Sequence, residues 1–410
     1  MLKKVSRKKT VYVAMSGGVD SSVAAALLKK AYLDSDGRIW IAEGRSPKAR
    51  YSCAVVGVFM KPYQPRAGIF NFQFSIFNKD NCLWKQDRED ALRVAAKLDI
   101  PLLTWDLSKE YEKRVVRYMI DGYKKGITPN PDVMCNKFIK FGLFLEKALE
   151  MGADYIATGH YVRKQTTYNK QQTTGGEKTK KSSVVSYKLL VGIDENKDQS
   201  YFLYTLTQEQ LSRCLFPVGD WNKKEVRKMA KKFGLPNWDK KDSQGVCFVG
   251  PLEVKEFLKR NIKSKRGLVL RKSDRKILGE HDGVWYYTIG QRHGFGLNGG
   301  RPYYVVDKDT KKNILYVDDL KNPKSQAPNP KQILNPKIQI RELNWIRKQR
   351  VPLNCKVKTR YRQKDIDCTI IKNGSDKALV EIKENNLAIA PGQSAVFYKG
   401  NEVLGGGIIV

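Results

Sequence analysis

The sequence predicts an α/β protein whose first half folds around a parallel sheet, followed by a helical stretch and an all-β tail. Three observations predict it. Short apolar strands alternate with helices up to about residue 157, and helical periodicity returns from about 208 to 263. After Gly267, short alternating strands punctuated by Gly, Pro, Asn and Asp take over. The tail reads as a barrel or a sandwich.

Residues 11–15 (VYVAM) form an apolar run rich in β-branched and aromatic side chains, and so a first strand. A Ser-Gly-Gly turn leads into a helix over about 21–33. Residues 53–60 (CAVVGVFM) read as the next buried strand, 87–98 as an amphipathic helix and 101–105 as a third strand. Ser108 is expected to cap a helix running to about 125, with Gly126 just past its end. A further helix is expected over about 136–151, stopped by Gly152, and residues 153–157 give another strand. Strands joined by helical crossovers run parallel and are buried on both faces. Two stretches interrupt the pattern. Residues 34–52 read as an inserted loop, and the polar, basic stretch 163–183 as a flexible loop between hairpin strands.

The chain has 410 residues, enough for two or three domains, and its 41% hydrophobic content excludes a disordered protein. Its 76 Lys+Arg against 42 Asp+Glu give a formal charge of +34. Such a surface attracts polyanions through its long-range field and counterion release, so nucleic acid is the first partner to consider; a generally basic proteome would give the same balance. Seven cysteines, at 53, 82, 135, 214, 247, 355 and 368, include no C-x-x-C pair and are odd in number. That argues against a zinc site or disulfide framework and fits a reducing compartment. No apolar run reaches the length of a membrane span. The start, MLKKVSRKKT, is basic but lacks the apolar centre of a secretory signal; its brevity favours bacterial cytoplasm over the alternative, mitochondrial matrix.

Three segments carry chemistry. SGGVDSS at 16–22 lies where a strand ends and a helix begins. A helix N-terminus offers unpaired N–H groups and the positive end of the macrodipole, and glycines let backbone approach a phosphate. The spacing is not that of a Walker loop. In TPNPDVMCNK at 128–137, two prolines hold an extended approach and Cys135 falls at an expected helix start, a setting that favours thiolate; Asp132 is placed for proton exchange. Cys247 lies in a Gly-bounded loop, DSQGVCFVG, at 242–250, where a thiol is accessible; taken alone it reads as an ordinary structural cysteine. The other five cysteines have no comparable setting.

The SGGVDSS loop resembles the PP-loop of ATP pyrophosphatases, which split ATP between its α and β phosphates. Joined with GVFMK at 57–61, TPNPDVMCNKFIKF at 128–141, ATGHY at 157–161, KDQSYFL at 197–203, GVCFVG at 245–250, YTIGQR at 287–292, RYRQ at 360–363 and PGQSAVFYKG at 391–400, it resembles the tRNA-specific 2-thiouridylase family over nearly the whole chain. The resemblance implies a PP-loop nucleotide-binding domain over 1–207, a small central α+β domain over 208–266 and a C-terminal β-barrel over 267–410, its early strands shared with the central domain. It implies ATP with Mg²⁺ as cofactors and no structural metal. The partners implied are tRNA for Lys, Glu and Gln, thiolated at C2 of the wobble uridine, and a sulfur-donor protein, with no membrane. Ala14, Met15, Ser16, Gly17, Gly18, Val19, Asp20, Ser21, Met60 and Gly159 would line the ATP site. Asn130, Pro131 and Asp132 would meet the target base. Cys135 would be the nucleophile, Cys247 the persulfide carrier and Asp132 the acid or base. His160, Lys197, Asp198, Gln199, Arg360, Tyr361 and Gln393 would face tRNA. Taken singly, His160 and Met60 also suit a core, 197–199 a solvated turn and 360–362 a basic strand face. The competing classes are an amide-forming PP-loop ligase and a non-catalytic tRNA-binding protein.

Overall fold

The computed structural model describes residues 8–33, 39–41, 51–63, 83–172, 181–242, 254–295, 297, 302–319, 337–374, 376–384 and 389–410. Strand β1 (Lys9–Ala14) is buried on both faces: Val11 and Val13 enter one core, Tyr12 the other. It lies between β4 (Tyr51–Lys61) and β6 (Tyr155–Ala157), parallel to both. Strand β5 (Leu102–Asp106) pairs parallel with β4, and β9 (Cys214–Leu215) parallel with β6. Two short strands, β2 (Ala31–Leu33) and β3 (Ile39–Ile41), pair antiparallel with each other, and β2 pairs antiparallel with the start of β4. The parallel core thus runs β5-β4-β1-β6-β9, as the alternation of strands and helices predicts.

Helices cover both faces. On one lie α1 (Val19–Lys30), α2 (Leu83–Leu98) and the helix Lys223–Lys232, through Ala24, Leu27, Val94, Val226 and Ala230. On the other lie the helices over 108–124 and 131–150, through Tyr111, Val115, Cys135, Ile139 and Phe144. Each of these two contains a widened π-type stretch, at Glu112–Val116 and Cys135–Leu143. Such stretches recur at functional sites.

Several expectations change. Ser108 does not cap its helix; Asp106 does the local bonding, its Oδ1 accepting from the Ser108 amide at 3.0 Å and hydroxyl at 2.5 Å. The helix expected from 136 begins five residues earlier, because Pro131 suits a first helical position and the Asn130 side chain caps it by accepting from the Val133 amide at 3.2 Å. Cys135 therefore closes the first turn rather than opening the helix. Much of the presumed loop at 163–183 is strand: β7 (Val162–Gln172) and β8 (Lys181–Val191) pair antiparallel in register throughout, and residues 173–180 lie outside the described residues. Residues 208–235, expected in the central unit, instead contribute β9 and the helix Lys223–Lys232 to the parallel-sheet layers.

The tail divides in two. Strands β10 (Gly267–Arg271), β11 (Ile277–His281), β12 (Tyr303–Asp309) and β13 (Ile314–Asp319) make a four-stranded sheet of their own. Strands β14 (Lys337–Trp345), β15 (Leu353–Lys358), β16 (Ile366–Asn373), β17 (Lys377–Ile382), β18 (Ser394–Lys399) and β19 (Glu402–Ile409) close into an antiparallel barrel through a β14–β19 pairing. The β7–β8 hairpin extends this sheet by pairing β8 with β19, which ties the middle of the chain to its last strand.

Candidate active site

The order of the parallel strands reverses direction at β1, and in such sheets ligands bind beyond the carboxyl ends of the strands at that point. Ala14, Met15, Ser16, Gly17 and Gly18 lead out of β1 there, and Met60 sits near the end of β4, packed in the core at 8% exposure. Gly17 has φ +76°, and a Cβ on it would meet the Asp87 carbonyl oxygen at 2.1 Å. Gly18 is the N-cap of α1, extended and without a side-chain cap, so the first-turn amides are left to a ligand. Ser21 Oγ donates to the Gly18 carbonyl at 3.0 Å, and Ser22 Oγ to the same oxygen at 2.9 Å. Gly159 presses on this turn: a Cβ there would lie 2.8 Å from the Ser21 amide nitrogen. An uncapped helix start, a glycine turn and two closely packed glycines form a cradle suited to nucleotide phosphates.

Around the cradle is a charge network built from residues that are distant in sequence. Asp20 accepts from the Tyr161 hydroxyl at 2.7 Å and from Lys223 Nζ at 2.6 Å. Lys223 also reaches Asp242 at 2.8 Å, where Lys197 at 2.5 Å and Arg227 at 2.8 Å converge. Burial pushes the Asp242 carboxyl up, but the hydrogen bonds from Lys197 and Lys223 outweigh it and hold it down to about 2. Asn237, buried, donates to the Gly17 carbonyl and to Ser22 Oγ. No sequence signal singled out Lys223 or Asn237, and Asp242 stood out only as the first residue of the segment 242–250. Tyr161 stands within ATGHY, but its bond to Asp20 could not be read from it.

The helix over 131–150 brings Asn130, Pro131, Asp132 and Cys135 together at its start. Asn130 is buried, Pro131 and Asp132 are half-buried, and Cys135 is fully buried. Asn136 donates back to the Asp132 carbonyl at 3.0 Å. A cleft of about 400 Å³ opens beside this turn, lined among others by Arg114, Met134, Lys137, Phe138, Tyr204 and Glu342. Cys247, with residues 243–253, lies outside the described residues. Burial pushes the thiols of Cys53 and Cys214 up to about 12, so both stay neutral and inert.

The residues expected to face tRNA have diverse settings. His160 is in the core: its Nδ1 lies 2.8 Å from Thr158 Oγ1, Phe141 packs 5.7 Å from its ring, and burial, with the nearby Lys140, drives its pKa well down. The ring is interior in this structure, and its contact with tRNA stays a proposal. Asp198 is buried and braces its own turn, accepting from the Gly192 and Ser200 amides and the Ser200 hydroxyl. Gln199 accepts from the Tyr161 amide at 3.1 Å. Lys197 is held on Asp242. Tyr361 packs on Phe202 with centroids 4.5 Å apart, and Arg360 beside it is exposed. Gln393 Nε2 donates to the Thr128 carbonyl at 2.9 Å, making it a joint between barrel and proline loop. Among the described residues, no group of three or more His, Cys, Asp or Glu is gathered to hold a metal ion, and no helix is long and apolar enough to cross a membrane.

Three family models match nearly end to end. They are a tRNA methyl transferase HUP domain over 9–55 and 47–251, a tRNA methyl transferase PRC-barrel domain over 255–319 and an aminomethyltransferase beta-barrel domain over 335–409. Full-length relatives carry a different name. The tRNA-specific 2-thiouridylase of Bacillus licheniformis is 42% identical over 404 residues, covering 97% of this chain and 94% of the relative. That of Geobacillus thermodenitrificans is 40% identical over 411 residues, covering 100% and 96%. That of Pectobacterium carotovorum is 41% identical over 410 residues, covering 98% and 97%.

Proposed function

The chain belongs to the tRNA-specific 2-thiouridylase family, and from that premise we propose that it is an ATP-dependent tRNA sulfurtransferase forming 2-thiouridine at wobble position 34 of tRNAs for Lys, Glu and Gln. The observation that carries this is the phosphate cradle at the end of β1, on a sheet whose other face buries Cys135 one helical turn beyond Asn130. Methyl transfer, the name attached to two of the domain models, does not call for a cradle of this kind, whereas activation of a carbonyl by ATP does.

A carbonyl oxygen is a poor leaving group. Residues 14–21, with Met60 and Gly159, hold ATP while O2 of the uridine attacks the α-phosphorus and pyrophosphate leaves, forming a C2–O–AMP bond. Backbone amides at the start of α1 stabilise the charge on the phosphates, and Mg²⁺ bound to those phosphates would neutralise more. Asn130, Pro131 and Asp132 receive the base after it has left the anticodon stack. The terminal sulfur of a Cys247 persulfide, loaded by a sulfur-donor protein, attacks C2. The Cys135 thiolate then attacks Sγ of Cys247, giving a 135–247 disulfide and leaving sulfur on the base, and AMP departs. Asp132 exchanges the proton, and an external thiol reduces the disulfide between turnovers. Because Cys135 is fully buried, its surroundings must open for this step. Lys197, Arg360 and Tyr361 remain proposed tRNA contacts; Asp198, Gln199 and Gln393 support them from within.

The test is mass spectrometry of tRNA nucleosides after incubation with ATP, Mg²⁺ and a persulfide source. The expected product is 2-thiouridine, with AMP and pyrophosphate. Cys247→Ser should keep tRNA-dependent pyrophosphate release and lose sulfur incorporation; normal thiolation by that variant would refute the persulfide role. A methylated uridine would refute the whole reading.

A further inference from the structure

Residues 237–242 touch three parts of the molecule. Asn237, 4% exposed, gives its side-chain hydrogens to the Gly17 carbonyl at 2.9 Å and to Ser22 Oγ at 3.0 Å. A carbonyl only accepts, so the bonding fixes which way the amide points, and its Oδ1 is left buried with no partner among the described residues. The Gly17 carbonyl and the Gly18 amide share one planar peptide, so a donor on the carbonyl helps fix the tilt of that peptide, whose N–H donates to Ser16 Oγ at 3.4 Å within the loop. Lys240 reaches Asp87 and Asp90 of α2, each at 2.7 Å. Asp242 is gripped by Lys197, Lys223 and Arg227, and Lys223 divides its charge between Asp242 and Asp20 at the start of α1.

We propose that residues 237–242 are a strap that couples the phosphate loop to the chain leading into Cys247, with Asn237 and Asp242 as its positioning residues. The proposal rests on the thiolation reading. Its logic is electrostatic. Among the described residues, Lys223, with a side chain only 12% exposed, is the one cation common to a carboxylate beside the cradle and a carboxylate five residues before Cys247. Phosphates entering the cradle compete with Asp20 for positive charge, which changes the hold of Lys223 on Asp242. Asn237 ties the same strap to the loop peptide itself. A tie serving stability alone would need neither the shared lysine nor the bond to the loop carbonyl.

The discriminating variant is Asp242→Asn in the full-length enzyme, which keeps the side-chain shape and removes the charge. Two rates are measured: tRNA-dependent pyrophosphate release, and 2-thiouridine formation from a persulfide source. The expected result is a split. Because Lys223 is shared with Asp20, the KM for ATP should shift by about threefold, while thiolation falls tenfold or more beyond any change in pyrophosphate release. Parallel loss of both, or loss of neither, in a variant with an unchanged melting temperature overturns the strap. If Asp242→Asn does not fold, Arg227→Met removes one of the converging cations from a side chain 35% exposed and must give the same split in smaller measure. Parallel effects or none there overturn the proposal equally. Absence of 2-thiouridine from the unsubstituted enzyme refutes the thiolation reading instead, so the two failures are distinguishable.

Discussion

At the scale of single residues, His160 and Gly159 stand side by side with opposite demands. Burial holds the His160 ring neutral, so its folded pKa lies below the value of the unfolded chain. A base depressed in this way binds its proton more readily when unfolded. Stability is therefore whole above the ordinary histidine pKa and falls as pH drops below about 6.5, by at most about 1.4 kcal/mol per pH unit for this residue. Denaturant midpoints measured at pH 7, 6 and 5 should fall, and the fall should flatten in His160→Asn; an unchanged slope would exclude the buried imidazole as its source. Gly159 is constrained by space: a Cβ would lie 2.8 Å from the Ser21 amide nitrogen and 2.9 Å from the Asp20 carbonyl carbon, both backbone atoms that cannot swing away. Gly159→Ala should raise the KM for ATP on the order of tenfold while tRNA affinity holds, read from pyrophosphate release against ATP concentration. Both residues stand out in the sequence through ATGHY. The motif located them, but only the packing separated a core histidine from a surface one.

At the scale of elements, the helix over 131–150 and the β7–β8 hairpin differ most from their sequence readings. The helix start depends on Asn130, whose side chain satisfies the Val133 amide. Asn130→Ala should cost about 1 kcal/mol in urea unfolding and Asn130→Asp much less, since an aspartate caps equally well. The proline pair marked a boundary in the sequence, but helical periodicity alone could not say on which side of Pro131 the helix began. In the hairpin, Arg163 donates to the Val191 carbonyl and Lys164 to the Leu211 carbonyl, so these two cations are already engaged. By sequence, Lys170, Lys178, Lys180 and Lys181 are the candidates for binding phosphate. Replacing them with Ser should weaken tRNA binding and flatten the plot of log affinity against log salt by about 0.7–0.9 for each phosphate that is no longer neutralised. An unchanged slope removes the hairpin from the RNA surface.

At the scale of the whole molecule, the C-terminal barrel meets the site. Gln393 bonds the Thr128 carbonyl, the Thr128 amide bonds the Pro391 carbonyl at 2.8 Å, and the Tyr201 hydroxyl bonds the Ser394 carbonyl at 2.8 Å. The barrel thus holds the proline loop that starts the Cys135 helix. Gln393→Ala should cost about 1 kcal/mol of stability, seen in urea midpoints, and should slow thiolation more than it weakens tRNA binding. A selective loss of tRNA affinity would instead return Gln393 to the RNA face. By itself the sequence determined the parallel sheet, the glycine loop at its first strand and the all-β tail, because strand periodicity, glycine turns and short motifs are local properties of the chain. Only the tertiary structure decided that His160 and Asp198 face inward, that the β7–β8 hairpin joins the barrel sheet, and that Lys223, Asn237 and Asp242 gather at the cradle. Those outcomes depend on which distant side chains exclude water from one another or share a charge, and no local pattern encodes that.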